Sequence, residues 1–150
     1  MLAPGRATYE GRYAHVQGAV NVPKGIQQPR SPIIVGGNGR EVTWRLAARF
    51  AHELNVVFLS PEQIADALPV IRARCEEIRR DPATLRLSVY CRDEDVREPG
   101  GARADLIGRY AEVGLARLVA FPTRWSPTED AQAGLAEDCR ATGVELAAAG

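Results

Sequence analysis

Residues 31–55 read SPIIVGGNGREVTWRLAARFAHELN: an apolar run, three glycines within four positions, then an amphipathic stretch. Ile33, Ile34 and Val35 are consecutive β-branched residues, which suit a strand buried on both faces, and Pro32 is tolerated at a strand's first position. Gly36, Gly37 and Gly39 allow positive φ and leave no Cβ to block a close approach. Val42, Leu46 and Phe50 then recur at i, i+4 and i+8 with Ala47 and Ala51 beside them, while Arg45 and Arg49 lie elsewhere. This predicts a helix from about Arg40 that buries that stripe. A helix N-terminus exposes unpaired N–H groups and the positive end of its dipole, so the turn is a natural anion cradle. Its donors would be the backbone amides of Gly36, Gly37, Asn38 and Gly39, with Arg40 adding charge. The alternative is a tight strand-to-helix connector that holds no ligand.

Working outward, strand and helix signals alternate. Residues 56–59 are a short apolar run, and Ser60-Pro61-Glu62-Gln63 is a capping box with proline at the first helical position. Ile64, Leu68, Ile71, Cys75 and Ile78 form one helical stripe with Glu62, Asp66, Arg72, Glu76 and Arg79 outside it, and Asp81-Pro82 ends the helix. Residues 85–90 alternate as a strand does. A polar loop, RDEDVREPGG, follows, its Asp93, Glu94 and Asp95 reading as a solvated charge run and not a metal site. A helix over 102–113, a strand over 116–121 and a helix over 127–142 complete the chain. Ahead of residue 32 an irregular arm is expected, with a hairpin from Thr8 to Val16.

Four successive βα units predict a parallel sheet with right-handed crossovers. A dinucleotide-binding sheet needs a third small residue three positions after Gly39 and an acidic residue at the end of the second strand. Position 42 is Val and the second strand ends at Leu59-Ser60, so that fingerprint fails twice. Half of an eight-stranded barrel remains, a fold whose ligands sit at the C-terminal ends of its strands.

Composition limits the function classes. The 150 residues are 45% hydrophobic and 25% charged, with 19 basic and 19 acidic side chains. One domain spanning 1–150 is expected, with 1–31 as the arm and 32–150 as the βα units. Zero net charge without a basic cluster argues against nucleic acid. No apolar run reaches membrane-spanning length and the N-terminus lacks a signal-peptide core, so a soluble cytoplasmic protein is expected. Cys75, Cys91 and Cys139 are too far apart for a metal site; Cys75 and Cys139 fall on apolar helix faces, where small core residues belong. Among single candidates, His52 reads as a helix-end histidine before an acid-base group, and His15 lies in the hairpin. Trp44 reads as packing before ring contact, and Arg124-Trp125 follows the last strand at a ligand-loop position.

The stretch from Ala7 to Gly39, with its Tyr9-Glu10-Gly11-x-Tyr13 lead-in, the spacing of Pro23, Gln27, Pro29 and Pro32, and the Gly36-Gly37 turn, resembles the C-terminal half of luciferase-like monooxygenases. LAARFAHELN, SPEQIADALPVIRARCEEIRRDPATLRLSV and YAEVGLARLVAF extend the resemblance over nearly the whole chain. It implies an oxidoreductase using FMN or coenzyme F420, with the cofactor phosphate at residues 36–40. It also implies a partial (βα)8 barrel lacking the first four units, hence no turnover by this chain alone. Four strands cannot close a barrel and leave two sheet edges exposed, so homo-oligomerisation or association with a missing N-terminal half is expected, and the resemblance implies a small-molecule substrate. A departure stands inside the match: where the family often has Ala-Asp-Gly-Trp-Asn, this chain has Ala51-His52-Glu53-Leu54-Asn55. A non-catalytic half-barrel assembly module and a stand-alone α/β protein are the competing readings.

Overall fold

The structure, a computed structural model, describes residues 5–20, 22, 26–27, 31–96, 98–120 and 129–144. The chain divides into two compact units, Met1–Pro32 and Ile33–Gly150. In the first, β1 (Ala7–Glu10) and β2 (His15–Ala19) pair antiparallel, with Tyr9 opposite Val16 and Glu10 opposite His15. This is the hairpin read from Thr8 to Val16.

The second unit begins with β3 (Ile34–Gly36), α1 (Thr43–Phe50), β4 (Glu53–Val57) and α2 (Pro61–Glu76). It continues through a 3₁₀ turn at Pro82–Thr84, β5 (Arg86–Cys91), a single helical turn α3 (Asp93–Val96), α4 (Gly101–Glu112), β6 (Arg117–Ala120) and α5 (Glu129–Ala141). The four strands are parallel and lie in sequence order, β3-β4-β5-β6. Right-handed crossovers between strands in unbroken order carry every connecting helix to the same face of the sheet.

Burial follows from that. Leu54, Val56, Val89 and Cys91 alternate onto the helix-bearing face and form the core with Ile64, Ala67, Ile71 and Cys75 of α2. The opposite parity places Ile34, Glu53, Asn55, Arg86, Ser88, Arg117 and Val119 on the other face, where Ile34 and Val119 are exposed. A polar layer occupies that face. Glu53, 1% exposed, lies 3.2 Å from the Arg117 guanidinium and 3.7 Å from that of Arg86, and Asn55 Nδ2 donates to Ser88 Oγ at 2.8 Å.

Three sequence expectations change. The second strand starts at Glu53 and not at residue 56, because its first residues are a buried ion-paired carboxylate and a hydrogen-bonded Asn, which an apolar count skips. The helix after the glycines starts at Thr43 and not near Arg40. Its buried face is Trp44, Ala47 and Ala48, whereas Val42, Leu46 and Phe50 are exposed. Alanines let the helix backbone approach its neighbours, which the larger stripe would have held apart. The loop expected after β5 contains α3, anchored by buried Val96.

Arg80-Asp81-Pro82, marked as a helix ending, has a wider structural role. Arg80 Nη1 donates to the carbonyls of Ala47 (3.3 Å), Ala48 (2.8 Å) and Ala51 (2.8 Å), closing the C-terminal end of α1, while Nε and Nη2 donate to Thr84. The last carbonyls of a helix lack partners within it, and a cation there also complements the dipole. Arg80→Ala is therefore expected to lower unfolding free energy by about 1.5–3 kcal/mol. Urea unfolding of the two proteins measures it, and Arg80→Lys, with one point charge for several carbonyls, should recover only part.

Candidate functional site

A parallel sheet brings the C-terminal ends of all its strands to one rim, where α/β folds bind ligands. At that rim the chain leaves β3 through Gly37, whose φ of +123° is unfavourable for any side chain. Gly37 N–H donates to the Asn55 carbonyl at 2.9 Å, a continuation of the β3–β4 ladder. Asn38 then acts as an extra strand residue with its side chain. Its Nδ2 donates to the Val57 carbonyl (2.8 Å) and its Oδ1 accepts from the Val57 N–H (2.9 Å), tying the turn to the end of β4. Trp44 fixes the other side, donating from its backbone N–H to the Gly39 carbonyl (3.0 Å) and from Nε1 to the Gly37 carbonyl (3.1 Å).

These bonds occupy carbonyls and leave amides. Among the described residues, the N–H groups of Asn38, Gly39 and Arg40 have no partner, and Val42 caps α1 without a side-chain hydrogen bond. Gly39 packs so closely that a Cβ there would stand 2.7 Å from Thr43 Oγ1. Arg40 lies 5.7 Å above the Trp44 ring. Asn38, Arg40 and Trp44, with Gln63 and Asp66 of α2, line an open groove of about 180 Å³. A larger groove of about 430 Å³, walled by Leu68, Ile71, Leu87 and Val113, lies at the opposite end of the sheet, beside the start of β5.

The other described candidates are engaged in local structure. His52 Nδ1 accepts the Ile33 N–H at 2.9 Å, so the ring is a structural acceptor at the start of β4. Trp44, 2% exposed, is packing as well as a hydrogen-bond donor. His15 pairs with Glu10 at 3.0 Å on the exposed hairpin of the first unit. Arg124 and Trp125 lie outside the described residues. All three cysteines are buried and form no disulfide. Burial pushes the Cys91 thiol up to about 11 and those of Cys75 and Cys139 upward, so none is a thiolate at neutral pH. Among the described residues, no cluster of His, Cys, Asp and Glu has the grouping of a metal site, and no helix is long and apolar enough to cross a membrane.

Sequence reasoning located the turn but missed the bridging role of the Asn38 side chain. Its signal was available: Asn mimics backbone hydrogen bonding in turns, and only a partner strand end was needed.

The model of the luciferase-like monooxygenase family matches residues 1–95. No curated protein matches the chain. Among solved structures, a coenzyme F420 dependent tetrahydromethanopterin reductase from Methanopyrus kandleri is 15% identical with a TM-score of 0.67, the match covering 91% of this chain and 57% of that one. An F420-dependent secondary alcohol dehydrogenase, solved with an F420-acetone adduct, is 14% identical with a TM-score of 0.65, over 79% of this chain and 50% of that one. The likeness to these two structures is one of fold, and this chain spans about half their length.

Because Gly37 holds a φ that L side chains resist, Gly37→Ala is expected to destabilise by about 1–3 kcal/mol. The Trp44 indole is bonded to the Gly37 carbonyl, so its fluorescence in urea titrations reads the change at its source.

Proposed function

Since the chain belongs to the luciferase-like monooxygenase family, we propose that it is the C-terminal portion of a flavin- or F420-dependent oxidoreductase, and that the turn at Gly36, Gly37, Asn38, Gly39 and Arg40 holds the cofactor phosphate. The observation that carries this reading is that the amides of Asn38, Gly39 and Arg40 have no partner among the described residues, in the turn that leads into a helix whose N-cap, Val42, makes no side-chain bond. A phosphate fits such a cradle: the amides supply donors, the helix end supplies a favourable field worth roughly 0.3–1 kcal/mol, and Gly39 lets the turn pass close against Thr43, where a Cβ would clash. In this reading Gly36 and Gly37 contribute shape, since the Gly37 amide serves the sheet. Arg40 contributes charge, offsetting Asp66 across the groove.

A bound flavin or deazaflavin supplies electron-pair transfer to or from a substrate carbon. This chain's residues bind and orient its phosphate end. Within the described residues His52 is engaged by the Ile33 amide and offers no free acid-base pair at the rim. Turnover therefore needs groups from elsewhere, and the reading includes a half-barrel: four βα units in unbroken order, with helices on one face, support it. The exposed Val42, Leu46 and Phe50 at and along α1, and the exposed Ile34 on the other face of the edge strand β3, favour packing of further βα units at that edge, from a second copy or a separate N-terminal half. A cytoplasmic location belongs to the same reading.

Phosphate contacts alone give affinity near the millimolar range, about 4 kcal/mol. In an amide-resolved NMR titration of the chain with inorganic phosphate, shifts centred on residues 38–40 and saturating at millimolar concentration are the expected result. A folded sample with unmoved amides there would reject the phosphate assignment.

A further inference from the structure

Phe58, immediately after β4, has a φ of 57°, the left-handed region that bulky side chains avoid. Extended backbone would give residue 58 the parity of Leu54 and Val56, which are 0% and 2% exposed. The kink breaks that parity, and Phe58 stays 47% exposed at the rim. Its conformation is held from both sides. The Val57 peptide groups are gripped by the Asn38 side chain, the Phe58 N–H donates to the Tyr90 carbonyl at 2.8 Å, and the Leu59 carbonyl accepts from the Tyr110 hydroxyl at 2.8 Å. Ser60 then caps α2 in a full capping box. Backbone strain fixed by so many bonds withholds a large aromatic ring from the core, and strain of that kind gathers at ligand sites.

The ring has company. Tyr90, on the adjacent strand β5, lies with its ring centroid 5.3 Å from that of Phe58, at an interplanar angle of 31°, and the Arg92 guanidinium stands 5.7 Å from the Phe58 centroid. We propose that Phe58 and Tyr90, with Arg92 beside them, form the platform against which the planar ring of a phosphate-bearing heteroaromatic ligand stacks, its phosphate sitting in the turn that Asn38 bonds to the same strand end. Aromatic faces and a guanidinium accept such a ring through stacking and cation–π contact, with little demand on its substituents. The inference rests on the phosphate reading above and adds a second, separable contact to it.

The test compares FMN, which carries ring and phosphate, with inorganic phosphate, which carries no ring, by NMR titration of the full chain and of two variants. Phe58→Gly removes the ring where glycine suits the backbone, and Phe58→Leu keeps the bulk without the aromatic face. The expected result is that FMN binds the parent chain about tenfold or more tighter than phosphate and shifts Phe58 and Tyr90 resonances. Both variants should lose about five- to tenfold in FMN affinity while their phosphate affinity stays unchanged. FMN binding no tighter than phosphate, or folded variants that bind FMN as the parent does, would overturn the platform and leave the phosphate site standing. Failure of both ligands to move residues 38–40 would overturn the platform together with the phosphate reading.

Discussion

The handedness of the βα crossover is the constraint on which this structure depends. Because β3, β4, β5 and β6 stand in sequence order, a right-handed connection repeated without reversal leaves all the helices on one face. Doubly wound sheets escape this by reversing direction at a switch point and covering both faces. Here there is no reversal, so one face is the core and the other carries Glu53 with its two arginines and the Asn55–Ser88 pair. Fully parallel sheets are normally covered on both sides. A sheet that curls toward closure would meet that requirement with its own strands, which is the physical ground for the half-barrel proposed above.

The same constraint sets where chemistry can occur. Parallel strands point their C-terminal ends to one rim, so the turn after β3 and the kink after β4 become neighbours although 20 residues separate Asn38 from Phe58. Asn38 makes that adjacency rigid. Its amide group replaces a ladder partner for Val57, and the carbonyls around it are taken by Asn55-directed and Trp44-directed bonds that leave the following amides open. The turn is thus a by-product of how the edge strand ends: the sheet consumes the Gly37 amide, the indole consumes the Gly37 carbonyl, and the donors left over are the ones assigned to the proposed phosphate.

Much of this was legible in the sequence where local rules decide the outcome. Ser60-Pro61-Glu62-Gln63 predicts the start of α2, and the structure has both reciprocal hydrogen bonds of the box. The strand-helix alternation reads correctly because each unit carries its own period. Legibility ends where tertiary contact overrides pattern. The α1 stripe of Val42, Leu46 and Phe50 has the right spacing for a core face, yet the small residues Ala47 and Ala48 with Trp44 take it, since close approach outweighs side-chain size. Glu53 hides the start of β4 because a carboxylate reads as a loop until Arg86 of β5 and Arg117 of β6 are in place. At the site, the glycines announce the turn, whereas the Asn38 bridge to Val57 and the left-handed Phe58 depend on partners 19 residues or more away in sequence and leave no local trace.

Amide hydrogen exchange at the rim tests the central claim, that the β3–α1 turn keeps its own backbone donors open for a phosphate. In the ligand-free chain, Gly37 and Val57 should be protected by their bonds to Asn55 and Asn38, while Asn38, Gly39 and Arg40 exchange rapidly. Saturating FMN or F420 should slow those three amides and leave Gly37 and Val57 as they were. Protection of residues 38–40 before any ligand is added, or unchanged exchange there at saturation, would contradict the account.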